Sequence, residues 1–181
     1  MTSARFTTGQ SAEVLAYLAQ SGIASRIQSS HNLHGDATIV VAAADLIPCM
    51  EAVRDDARLH LDVLIDLTAV DYLPRNPRFE VVYHLLNFDT SCRLRIKVPL
   101  NEGETVPSLF HHYLSANWME REVWDLYGIA FSGHPDLRRI LLYPEFQGHP
   151  LRKDYAKDAQ QPRLPLRDHR PWKQPPPEGV S

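Results

Sequence analysis

The chain has 181 residues, 44% hydrophobic and 23% charged, with 19 Lys/Arg against 22 Asp/Glu for a net charge of −3. This is ordinary globular usage for one domain with a tail, and it excludes a wholly disordered or fibrous chain. No stretch approaches the roughly 18 consecutive apolar residues of a membrane span, residues 1–10 show no apolar signal core, and the acidic balance argues against bulk nucleic acid as the main partner.

In chain order, residues 10–21 predict a helix, with Ser11 as its cap, Glu13 in the first turn and Val14, Leu15, Leu18 and Ala19 as an apolar stripe ended by Gly22. Residues 23–30 and 37–44 predict two strands, joined by the hairpin loop HNLHGD. Residues 46–58 predict a second helix, with Pro48 in its first turn and Leu46, Met50 and Val53 inward. Residues 60–70 predict a strand. DYLPRNP then turns the chain into a hairpin of residues 79–88 and 92–100. The second hairpin strand alternates Leu94, Ile96 and Val98 with Arg93, Arg95 and Lys97. Pro107 opens a predicted helical stretch, and Ser115 caps a last helix that runs to Tyr127 and stops at Gly128. The order α-β-β-α-β-β-β-α predicts an α+β two-layer sandwich of a mixed or antiparallel sheet with helices.

Charge and proline divide the chain in two. Residues 1–132 form an acidic body with 10 Lys/Arg and 16 Asp/Glu. Residues 133–173 hold 9 Lys/Arg and 5 Asp/Glu, and nine of the 14 prolines lie between Pro135 and Pro177. Proline breaks helices and central strands, so residues 133–181 predict an extended basic tail. An extended segment cannot bury its own apolar side chains. It is therefore either disordered or laid on another surface.

Few patterns carry chemistry. There is no GxGxxG, GxxxxGK[ST], HExxH or GxSxG. The two cysteines, Cys49 and Cys92, are far apart and belong to no CxxC, against a disulfide framework, a zinc knuckle or an all-Cys cluster. Of the nine histidines, His31 and His34 sit in a predicted turn, His84 on a strand, and His111 and His112 point about 100° apart on a helix, so none forms a metal pattern. No catalytic, cofactor-binding or metal residue is assigned.

The helix NWMEREVWDLY is denser. Arg121 and Asp125 are spaced i,i+4 and can pair across its surface. The charges of Glu120, Arg121, Glu122 and Asp125 interleave with Trp118, Trp124 and Tyr127, the composition of an interface core. The tail repeats itself: GHPDLRR (133–139) returns as GHPLRKD (148–154), two turns each followed by basic residues. Arginines there suit paired bonds to carboxylates, so the two elbows read as anchors.

EREVWDLYGIAFSGHPDLRRILLYPEFQGHPLRKDY, residues 120–155, resembles the signature of the 30-kDa subunit of respiratory complex I, in bacteria the C-type subunit of NADH-quinone oxidoreductase. The resemblance covers about a fifth of the chain. Residues 156–181 look peculiar to this chain.

The resemblance implies a non-catalytic subunit of a multisubunit, proton-translocating NADH:quinone oxidoreductase. It implies no cofactor in this chain, with FMN and iron–sulfur clusters in partner subunits. It implies packing against the 49-kDa subunit (the D-type homologue of bacteria) and neighbouring iron–sulfur subunits, with the tail wrapping along a partner. It implies a peripheral place on the cytoplasmic face of the bacterial inner membrane. The interface residues it assigns are Glu120, Arg121, Trp124, Asp125, His134, Asp136, Arg138, Arg139, His149, Arg152, Lys153, Asp154 and Tyr155. The same signature admits an alternative, the equivalent subunit of a membrane-bound energy-converting hydrogenase. A free-standing RNA-binding module, on the basic strand and tail, is opposed by the acidic body and the lack of an aromatic RNP strand.

Overall fold

The computed structural model describes residues 4–163. Helix α1 (Ser11–Leu18) precedes strands β1 (Ile27–Leu33) and β2 (Asp36–Val41), then helix α2 (Leu46–Asp55) and strands β3 (Val63–Asp71), β4 (Phe79–Leu86) and β5 (Arg93–Leu100). A short strand β6 (Thr105–Pro107), helix α3 (Ala116–Tyr127) and strand β7 (Ala130–Ser132) follow. The main sheet runs β1-β2-β5-β4-β3, antiparallel except where β2 meets β5. This is the expected α+β sandwich with a mixed sheet.

The alternation in β5 decides which face is covered. Leu94, Ile96 and Val98 are buried, and Val81, Tyr83 and Leu85 of β4 share their face. With Val14 and Leu18 of α1, Met50 and Val53 of α2 and Val123 of α3 they make one apolar core. The other face carries polar rows. Asp66, His84, Arg95 and Thr38 stand opposite one another across four strands, and Lys97 pairs with Glu80 at 2.7 Å.

Several boundaries differ from expectation, each for a local reason. The first strand starts at Ile27, after a 3₁₀ turn at Ala24–Arg26, and the HNLHGD loop shrinks to His34–Gly35. Both residues have positive φ (54° and 85°), as a two-residue hairpin turn requires. Helix α2 stops at Asp55 because the Asp56 carboxylate accepts the N–H of Arg58 (2.8 Å) and Leu59 (2.9 Å), offering the backbone a turn instead. Neither serine caps its helix. Ser11 donates to the carbonyl of Gly35 and Ser115 to that of Leu64 (3.1 Å). Pro107 does not open a helix. It ends β6, which pairs in parallel with β7, and the Ser108 N–H extends the ladder to Ser132 (2.9 Å). Proline is tolerated there because a two-stranded ribbon is all edge.

Candidate functional site

Helix α3 is the centre of the signature, and its two sides do different work. Inward, Glu120 has no exposed surface. Its carboxyl accepts the Ser108 hydroxyl (2.6 Å) and the Leu109 N–H (2.6 Å), pinning the 108–110 turn to the helix. Burial without a cation pushes it up to about 7, against the pull of those two donors. Tyr83 lies in the same core, and its hydroxyl finds no partner among the described residues.

Outward, α3 is covered by residues 133–163, a strap with no helix or strand of its own. Asp125 holds it most firmly. One carboxylate oxygen accepts three successive N–H groups, of Ile140 (3.1 Å), Leu141 (2.9 Å) and Leu142 (2.9 Å). The other accepts Arg139 at 2.6 Å. Burial alone would raise this carboxyl, but the three amides and the guanidinium outweigh it and hold it below the ordinary range. Arg139 also reaches the carbonyls of Phe146 (2.9 Å) and Gly148 (3.1 Å), and so ties both elbows to the helix. Arg121 donates to the carbonyls of Arg138 and Arg139, each at 3.1 Å, with its guanidinium 5.4 Å from the Trp118 ring centre. The expected Arg121–Asp125 pair does not form, because each has a partner on the strap.

The two Gly-His-Pro elbows grip opposite ends of the same helix. His134 Nε2 lies 3.2 Å from the Asn117 carbonyl, while its Nδ1 accepts the Asp136 N–H (3.0 Å). That leaves Nε2 as the donor. His149 Nδ1 lies 2.9 Å from the Asp125 carbonyl, one of those the helix end leaves without an intrahelical partner. The His149 ring packs on Gly128, whose φ is +76° and where a Cβ would come within 2.6 Å of the ring. Glycine is required there twice over.

A second cluster fastens the far end of the strap. Arg78 is buried and forks onto Asp71 (3.0 and 2.8 Å), onto Asp154 (2.7 and 3.0 Å) and onto Glu102 (2.9 Å). Asp71 also accepts the Lys153 N–H at 2.8 Å, and Arg152 bonds Glu102 and Asp154. The Arg78 fork holds Asp71 down to about 2 and puts Asp154 far below the carboxylate range. Tyr155 stacks on Phe146, 6.2 Å between ring centres.

The thirteen sequence-assigned residues therefore separate. Glu120 and Asp125 are fully buried in this chain, and their side chains bond within its own fold. Arg121, Trp124, His134, Arg139, His149, Arg152, Asp154 and Tyr155 join strap to body or close the strap on itself. Lys153 does so through its backbone alone. The two adjacent arginines differ. The Arg139 side chain is 15% exposed, whereas that of Arg138 is 72% exposed and among the described residues meets only Asp136 (2.8 Å). As far as residue 163 the tail lies against its own chain. The expectation for residues 164–181 lies outside the described residues. Asp71, Arg78 and Glu102 were missed by sequence reasoning, since nothing local marks a strand-end Asp and an Arg as partners for a residue 76 positions from Arg78. Among the described residues, no group of three His, Cys, Asp or Glu is placed to hold a metal ion, and no helix is long and apolar enough to cross a membrane.

Comparison with known proteins agrees with this geometry. Residues 39–161 match the family described as "Respiratory-chain NADH dehydrogenase, 30 Kd subunit". The C 1 subunit of NADH-quinone oxidoreductase from Rhizobium etli is 45% identical over 143 residues, 79% of this chain and 71% of the relative. The C-type subunit of the Caulobacter vibrioides enzyme is 52% identical over 121 residues, 67% of this chain and 61% of the relative. A solved structure of the trypsin-resistant fragment (1–134) of Nqo5 matches with a TM-score of 0.59 at 29% identity, over 70% of this chain and 98% of the fragment. The family match spans the β2-to-strap region, including every residue that clamps strap to helix, and the chain belongs to the respiratory-chain NADH dehydrogenase 30-kDa subunit family.

Proposed function

We propose that this chain is a structural and assembly subunit of a proton-translocating NADH:quinone oxidoreductase, peripheral on the cytoplasmic face of the bacterial inner membrane. It carries no redox centre. FMN and iron–sulfur clusters belong to its partners, and it packs chiefly against the 49-kDa subunit. One observation carries the reading. The family signature is used for architecture: Glu120, Arg121, Asp125, Arg139 and His149 all bond within this chain and give the strap a fixed course along α3. A strap fixed in this way presents a rigid outer surface, with Trp118, Leu141 and Leu151 exposed by 59%, 60% and 49%. Exposed apolar side chains gathered around one helix are the composition of a docking surface.

The test is affinity purification of the tagged full chain from native membranes, with the co-purifying subunits identified. Flavin-binding, NADH-binding and 49-kDa-type subunits are expected. Recovery with hydrogenase subunits instead would move the chain to the energy-converting hydrogenase reading. The purified chain alone should show no NADH oxidation and no visible absorption. Reconstitution with flavin followed by reduction of an acceptor would overturn the cofactor-free role.

A further inference from the structure

The body and the strap are held by different forces. Among the described residues every buried apolar side chain lies at or before Phe131, and none of residues 133–163 is buried. Of the strap's apolar side chains only Leu137 packs against the core. The strap is held instead by directed polar contacts, to Asp125 and its carbonyl on α3 and to Asp71 and Arg78 at the far end. The body closes without them. Glu120 keeps its bonds to Ser108 and Leu109, and Ala116 and Val123 of α3 sit in the core.

Within itself the strap is cross-tied. Arg139 reaches the carbonyls of Phe146 and Gly148, and the Phe146 ring lies 5.6 Å from that of Tyr143 and 6.2 Å from that of Tyr155. The Gln161 amide bonds both the N–H (2.8 Å) and the carbonyl (3.0 Å) of Gln147. The boundary falls at Gly133. It follows β7, whose Phe131 is buried, and a Cβ there would meet no heavy atom within 4 Å, so the chain can swing at Gly133 without displacing a packed neighbour. A segment that adds little to the core it lies on opens at a lower free energy than that core unfolds.

We propose that residues 133–163 form a clasp that opens and closes as one unit about Gly133 while the body stays folded, uncovering Arg121, Trp124 and Asp125 of α3. The device has a consequence for docking, which rests on the subunit reading above. Leu141 and Leu151 ride on the strap and Trp118 on α3, so the three stand in fixed relation only when the clasp is closed. A partner that docks on them selects the closed state.

The test is hydrogen exchange of the free full chain in urea below its unfolding transition. The amides of Ile140, Leu141, Leu142, Leu151 and Lys153 all donate to the body. They should share one opening constant, be about 100-fold or more less protected than the β4 amides, and respond less steeply to urea, because opening exposes less surface than unfolding. Ile96→Val weakens the body in the open and closed states alike. It should lower β4 protection about 5-fold and leave the strap amides within about 2-fold. Asp125→Ala should lower protection at Leu151 and Lys153 by the same factor as at Ile140–Leu142, about 100-fold or more, although neither amide bonds that side chain. Strap amides as protected and as urea-sensitive as β4, or weakened equally by Ile96→Val, overturn the clasp, since strap and body then unfold together. A loss in Asp125→Ala confined to Ile140–Leu142 overturns it as well, and so does a strap with no protection, which has no closed state. In the complex purified from membranes the same amides should gain about 10-fold or more over the free chain, and no gain overturns the docking consequence. A chain that enters no such complex fails the subunit reading, while the free-chain results still decide the clasp.

Discussion

The inner and outer sides of α3 each bury a carboxyl, five residues apart, and the two behave oppositely. Glu120 and Asp125 have no exposed surface. Among the described residues Glu120 meets two neutral donors and no cation, and its hold on the proton rises to about 7. Asp125 meets three amides and a guanidinium, and its hold on the proton falls. Neither is exposed, but Glu120 lies deeper among protein atoms and Asp125 has the richer donor set, and both differences push the charge states apart. On the inner side the helix needs only a pin for a turn. On the outer side it needs an anion strong enough to order a segment without secondary structure.

Removing the stronger anchor breaks the comparison most sharply. Asp125→Ala leaves Arg139 buried without its carboxylate and three N–H groups without an acceptor, at an expected cost of about 3–5 kcal/mol. Urea unfolding of the purified chain measures it, and a loss under about 1 kcal/mol would mean that the strap does not depend on this carboxylate. The same measurement separates the neighbouring arginines. Arg139→Ala should cost about 3 kcal/mol and Arg138→Ala less than about 0.5 kcal/mol, since the latter's pair with Asp136 is exposed.

A pH series sharpens the contrast. The native pKa of Glu120 lies above the ordinary 4.5, so its stabilising contribution is complete below about pH 4.5 and is lost as pH rises through about 7. Asp71 and Asp125 are depressed in the native state. Their contribution is present above about pH 4 and is lost as pH falls through their native values. Stability should therefore peak at roughly pH 4.5–5.5. Glu120→Gln should flatten the arm between about pH 4.5 and 7, which spans about 2–3 kcal/mol in the parent. An unchanged slope in the variant would assign that arm to another group.

The far anchor is weaker and more exposed. The Asp154 side chain is 46% exposed and that of Glu102 57%. Asp154→Asn should cost at most about 1 kcal/mol, and the difference from the parent should fade near 1 M salt. Tryptic cleavage after Lys157 at low and high salt reads this out. The smallest effect has the opposite sign. Tyr83→Phe removes a buried hydroxyl that has no partner among the described residues, so it should leave stability unchanged or raise it by up to about 1 kcal/mol. A loss above about 1 kcal/mol would show that the hydroxyl is bonded after all.

What the sequence made legible follows from range. The β4–β5 hairpin and α3 were readable because alternation and helical spacing are local signals, and Gly128 marked the helix end by the conformation it alone adopts cheaply. The Gly-His-Pro repeat was readable as a pair of anchors. Which surface they grip was not, because His149 and Arg139 bond backbone carbonyls, and a carbonyl leaves no mark in the sequence. Strand β6 was misread because three residues give no periodicity and its partner lies 25 positions on. The Asp71–Arg78–Asp154 cluster was invisible for the same reason of distance.

The Asp125 contact also orders events during synthesis. Its partners Arg139 to Leu142 lie 14 to 17 residues downstream, and a ribosome adds about 5–20 residues per second. For about one to three seconds of translation, α3 has emerged with its carboxylate still hydrated and nothing to clamp. The nascent body can collapse in that interval around its apolar face, leaving the outer side of the helix wet. Closure then waits on the arrival of a single arginine and the amides behind it. A message truncated before codon 139 would thus release a chain whose sheet forms normally but whose α3 keeps a solvated outer face, and such a product would be a ready substrate for cellular proteases.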